Sequence, residues 1–117
     1  MTAAAIVVLC TAPAAAADGR ASADDLARRL VDEGLCACVN VVSGVRSFFR
    51  WEGAVDVADE VLLVAKTTRD AAPRLRQRIL ELHPYQVPEV LELAVDGGSP
   101  AYLKWLSASV TPPRDLP

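Results

Sequence analysis

The chain predicts an α+β fold, a ferredoxin-like split βαβ sandwich with a long β-hairpin and an extra C-terminal helix. Three observations carry this. The hydrophobic period runs strand, helix, strand, strand, helix, strand, then a last helix, which is the split βαβ order. The extended tract in the middle is far longer than the usual five or six residues per strand. At 117 residues and 52% hydrophobic the chain can bury one core and is too short for two. Residues 1–111 are expected to form a single domain and residues 112–117, which begin with Pro112-Pro113, a loose tail.

The elements follow in order. Ala5 to Thr11 is a short apolar run rich in branched residues and stopped by Ala12-Pro13, the pattern of a strand buried on both faces. Met1 to Ala17 mimics a signal peptide, but it lacks a positively charged start and Pro13 interrupts it, so a first strand is the better reading. Ser22-Ala23-Asp24-Asp25 offers a helix cap followed by acids in the first turn. Leu26, Ala27, Leu30 and Val31 then recur at helical spacing until Gly34.

Cys36 to Val42 starts the second strand, with Cys36 and Cys38 on one face by the period-two rule. Ser43-Gly44 permits a bulge, Val45 to Glu52 continues extended, and Asp56 to Asp59 reads as the turn. Glu60 to Thr68 returns as an apolar strand, so part of the hairpin projects past the sheet. Its Phe48, Phe49 and Trp51 supply aromatic surface that one small chain cannot cover, and self-association is the natural remedy.

From Asp70, Leu75, Ile79 and Leu82 mark a second helix, with Pro73 tolerated in its first turn. Leu91, Leu93 and Val95 share one face of a half-buried strand, and Ser99-Pro100 pairs a helix cap with a first-turn proline.

Composition removes several function classes. A net charge of −3 and a pI near 5.0 argue against a nucleic-acid surface. No apolar run is long enough to span a bilayer. Three cysteines without a disulfide or zinc spacing fit a reducing compartment, hence a cytoplasmic protein. Gly97-Gly98 lacks the motif of a phosphate loop. For catalysis, Cys10 or Cys38 with His83 is the sole nucleophile and base pairing on offer, so a non-enzyme is expected.

The unusual chemistry is concentrated in His83-Pro84-Tyr85-Gln86-Val87-Pro88-Glu89, which holds the sole histidine. Each proline pushes the residue before it toward extended geometry, so the second helix must end at His83. An extended stretch would turn His83, Tyr85 and Glu89 toward one side.

Specific strings carry a family likeness: Leu9-Cys10-Thr11-Ala12-Pro13, Ala37-Cys38-Val39-Asn40, Gly44-Val45-Arg46-Ser47, Arg50-Trp51-Glu52-Gly53, Glu60-Val61-Leu62-Leu63, Lys66-Thr67-Thr68, Leu82-His83-Pro84-Tyr85, Val87-Pro88-Glu89 and Tyr102-Leu103-Lys104-Trp105. In order and over nearly the whole chain, the sequence resembles the CutA divalent-cation tolerance proteins. The resemblance implies a homotrimer, a role in divalent-metal tolerance, and a divalent cation such as Cu(II) as the bound ion, with no organic cofactor.

It also implies metal-associated positions at Cys10 and His83; His83 is the first-choice ligand, with Cys10 or the nearby Glu89 as helpers. Leu82 stands where the family has a second histidine, so one ligand is missing. A thiolate and an imidazole suit copper over magnesium or calcium. Trp51, Lys66, Tyr85, Glu89 and Trp105, beside His83, are the implied lining of an intersubunit ligand pocket. The alternatives to metal tolerance are a trimeric small-ligand sensing module and a structural trimer with incidental metal binding.

Overall fold

The computed structural model describes residues 4–15 and 21–111. Strand β1 (Ala5–Ala12), helix α1 (Ala23–Asp32), β2 (Cys38–Trp51), β3 (Ala54–Thr68), α2 (Ala72–Leu82), β4 (Leu91–Ala94) and α3 (Pro100–Ala108) follow in chain order. The sheet order is β2-β3-β1-β4, every neighbouring pair antiparallel. This is the split βαβ arrangement the sequence predicts.

The core lies between one sheet face and the two long helices. Ile6, Val8, Cys10 and Ala12 of β1 and Val61, Leu63 and Ala65 of β3 meet Leu26, Leu30, Leu75 and Ile79. Helix α1 is set by a complete capping box in which Ser22 and Asp25 bond each other's backbone N–H groups. Its buried stripe is Ala23, Leu26, Ala27 and Leu30, while Val31, expected on that stripe, faces solvent. Thr67, fully buried on β3, donates its hydroxyl to the Leu35 carbonyl at 2.7 Å, so the polar group costs the core little. Arg78 grips Glu33 with two hydrogen bonds, 2.8 and 3.0 Å, tying α2 to the end of α1.

The other sheet face is only partly covered. Helix α3 packs Leu106, Leu103 and Val110 around Ala5 at one end of it. Further along, Leu91 and Leu93 of β4 remain 54% and 50% exposed, although the alternation predicts a half-buried strand. Val7 and Leu9 are correspondingly only half-buried, so β1 is sealed on one face and not on both.

Three local readings are also corrected. The turn falls at Glu52-Gly53 (φ 50° and 83°), and Asp56 to Asp59 lie inside β3. Two positive φ values in a two-residue connection make a type I′ turn, which matches strand twist and is why Gly53 is needed. Ser99 precedes α3 but makes no side-chain cap bond. Cys36 sits ahead of β2 and fully inside the core, whereas Cys38 is half-buried on the strand. The expected tail, 112–117, lies outside the described residues.

β2 and β3 run 14 and 15 residues. Their outer half extends beyond β1 as a two-stranded arm, where Phe48 is 67% exposed and Trp51 42% exposed. The expected bulge interrupts β2 between Val42 and Val45, with Gly44 in the left-handed region at φ 81°, a conformation that excludes most side chains.

Candidate functional site

The His83–Glu89 stretch wraps the end of the sheet where β1 stops. Pro84 sets His83 at φ −68°, ψ 137°, and the His83 backbone N–H closes α2 on Ile79 O at 2.8 Å. Residues 84–87 then bend, so the stretch is not the extended ribbon expected of it. The buried imidazole is held at both nitrogens. Nε2 lies 2.7 Å from the Thr11 carbonyl and Nδ1 accepts the Tyr85 backbone N–H at 3.1 Å. A carbonyl only accepts and an amide N–H only donates, so this pattern fixes the neutral Nε2–H tautomer. Burial lowers the His83 pKa, against the Thr11 hydrogen bond and the Glu60 charge, which raise it.

Tyr85 stacks at a tilt on His83, 4.6 Å between ring centres, and donates its hydroxyl to Glu60 Oε2 at 2.8 Å. Burial is the main force raising its pKa, with the Glu60 hydrogen bond next. Glu60 is 8% exposed, and reading it as merely the start of an apolar strand missed it. The available signal was an acid opening the run Val61-Leu62-Leu63.

Cys10 lies beneath this network. Its thiol points to the Thr11 carbonyl at 3.6 Å, the same oxygen that His83 uses, so the two side chains share an acceptor. Burial first, then the charges of Glu89 and Glu60, push the thiol up to about 12. A thiol this far from ionising is a poor nucleophile and a poor metal ligand.

Cys10, His83 and Glu89 thus occupy one neighbourhood without converging as ligands. Copper held by soft and imidazole donors needs several of them aimed at one point. No group of three His, Cys, Asp or Glu side chains with that geometry exists among the described residues. The described residues of one chain therefore do not fit a complete metal centre. Leu82, in the second-histidine position, packs half-buried against the core.

The implied pocket residues are dispersed within one chain. Trp51 pairs with Ala54 at the hairpin tip, whereas Lys66 pairs with Val7 and Cys38. Twelve residues of β3 separate the two pairing points, about 40 Å at strand rise. Lys66 reaches Asn40 Oδ1 and lies 3.7 Å from Cys38 Sγ. Trp105 is on α3, exposed, beside Tyr102 with ring centres 5.5 Å apart. Tyr85 and Glu89 alone share a location, at the sheet end.

Comparison with known proteins decides the family. Residues 6–109 match the model of the CutA1 divalent ion tolerance proteins. The chain belongs to the CutA family. The divalent-cation tolerance protein CutA of Thermus thermophilus is 45% identical over 100 residues, covering 86% of this chain and 92% of that one. A crystal structure of CutA1 from Oryza sativa superposes with a TM-score of 0.84 at 38% identity, over 94% of this chain and 96% of that one. A CutA from Nostoc sp. PCC 7120, described as PII-like and in apo form, superposes at 0.80 with 32% identity, over 91% and 97%. The CutA family is one of tolerance proteins and not a known enzyme class, and divalent-metal involvement belongs to the family as such.

Proposed function

We propose that the protein serves divalent-cation tolerance in the cytoplasm as a homotrimer, and that its cation or ligand contacts are completed at the boundary between subunits. The observation that carries this is the apolar surface left bare by one chain. Leu91 and Leu93 on the open sheet face, with Phe48, Phe49, Trp51 and Val57 on the projecting arm, are all exposed. Large apolar side chains left bare in such number mark interaction surfaces. Assembly is also the one route by which Trp51 of one copy can approach Lys66, Tyr85, Glu89 or Trp105 of another.

Cu(II) is the first cation to test, since an imidazole such as His83 suits copper, although Cys10, His83 and Glu89 of one chain do not converge and the site would need donors from a second subunit. Calorimetric titration of the assembled protein with Cu(II), wild type against His83→Ala, is the experiment. A site at His83 gives binding in the wild type and at least about tenfold weaker binding in the variant. Equal stoichiometry and affinity in both removes His83 from any cation site.

A second reading, a trimeric module that senses a small molecule, is favoured by the occupied ring nitrogens of His83. The PII-like description of the Nostoc relative points the same way. For this reading Tyr85 and Glu89 are the residues to vary, and a ligand-dependent rise in melting temperature of the trimer is the readout.

A further inference from the structure

We propose that residues 112–117 fold back as a C-terminal clasp, with the Asp115 carboxylate seated on the guanidinium of Arg74 at the start of α2. Arg74 carries the observation. Its Nη2 donates to the Thr111 carbonyl at 2.7 Å, while Nε and Nη1 are shut away from water with no hydrogen-bond partner among the described residues. Buried donors of a charged group are costly to leave open, and the planar fork of a guanidinium matches a carboxylate.

The described surroundings supply no anion. Among the described residues no carboxylate pairs with Arg74. The first turn of α2 holds no acid, and Ala71 gives it no side-chain cap. Arg74 lies in that first turn, so its charge adds to the positive end of the helix dipole. One carboxylate placed there answers both the helix end and the open side of the fork.

The chain itself delivers one. Thr111 is fixed beside Gly34 by its N–H on the Gly34 carbonyl at 2.9 Å, and its side chain fills the space where any Cβ at position 34 would stand. Pro112-Pro113-Arg114-Asp115-Leu116-Pro117 therefore leaves from beside the Arg74 guanidinium. In a four-residue turn from Pro112 to Asp115, Pro113 takes the second position, which proline favours. Such a turn returns its last Cα to within about 7 Å of its first, which brings the Asp115 carboxylate into reach of Nε and Nη1. Leu106 and Val110 bury α3 next to this point, so the clasp ties α3, and the Trp105 it carries, to α1 and α2.

The test is hydrogen exchange on the full-length assembled protein, read on the C-terminal peptide that holds the Arg114, Asp115 and Leu116 amides. In wild type these amides are expected to exchange at least about tenfold more slowly than in the free peptide. Both Arg74→Gln and Asp115→Asn should restore the free rate. Asp115→Asn should also lower the melting temperature of wild type and leave that of Arg74→Gln unchanged, the non-additivity of two groups in contact.

Four results overturn the proposal. One is exchange at the free rate in wild type. Another is protection that survives Asp115→Asn, or melting losses that add in the double variant. The third is a melting temperature of wild type raised by inorganic phosphate but not by chloride while the tail exchanges freely, which assigns Arg74 to a free anion. The last is a fall in assembly mass in Arg74→Gln with the tail unprotected throughout, which assigns it to a second copy of the chain.

Discussion

At the scale of single residues, His83 is the most constrained side chain in the site, because both ring nitrogens and the backbone N–H are engaged at once. Its lowered pKa has a definite consequence for stability. Above the ordinary value of 6.5 the imidazole is neutral in folded and unfolded chains alike, and its contribution is complete. Below 6.5 the unfolded chain takes up the proton first, so stability declines until the lower folded value is reached. Urea unfolding across this range should show a slope from His83 no steeper than about 1.4 kcal/mol per pH unit, one proton's worth. His83→Gln should flatten it, and a wild type that gains stability on acidification from pH 6.5 contradicts the assignment. Glu33 and Glu92 are held below 4.5 mainly by hydrogen bonds from Arg78 and Arg76, so their contributions are lost only at lower pH. His83 was legible as the residue of interest because it is the sole histidine and directly precedes a proline. That its ring is saturated was not, since the Thr11 carbonyl lies 72 positions away in the chain.

At the scale of elements, the hairpin is where local pattern and observed structure part most. Asp56 and Asp59 looked like turn residues because acids break apolar periodicity. On an arm of two strands with solvent on both sides there is no buried face to enforce alternation, so polar residues there do not mark a turn. The true turn places Glu52 at φ 50°, a left-handed position that disfavours a long L side chain. Glu52→Asn, giving the Asn-Gly pair preferred in type I′ turns, should stabilise the protein by roughly 0.5–1 kcal/mol. The readout is a higher urea midpoint at unchanged slope. A lower midpoint means that this turn geometry is not what limits the arm. Helices α1 and α2, by contrast, were legible to within a few residues, because each buries one stripe against a sheet and carries its own start and stop signals.

At the scale of the molecule, the bare face of the sheet and the projecting arm are what one subunit leaves unfinished. Size-exclusion chromatography with light scattering at micromolar concentration should return a trimer mass, and a monomer would remove the basis for shared sites. Trp51→Ala should loosen the assembly on dilution by about 2 kcal/mol, the scale of a buried aromatic anchor at an interface. A variant that stays equally associated places that ring outside the contact.

Periodicity, caps and proline positions by themselves determined the element order, the split βαβ arrangement and the end of α2 at His83, since these are consequences of local geometry and of which residues shun water. Only the tertiary structure decided which atoms meet. It brought Glu60 beneath Tyr85, used both nitrogens of His83 inside the chain, kept Cys10 protonated, and set Trp51 far from Lys66. The physical reason is that these contacts join distant positions whose burial and hydrogen-bond partners arise only once the sheet end and the loop after α2 have closed on each other.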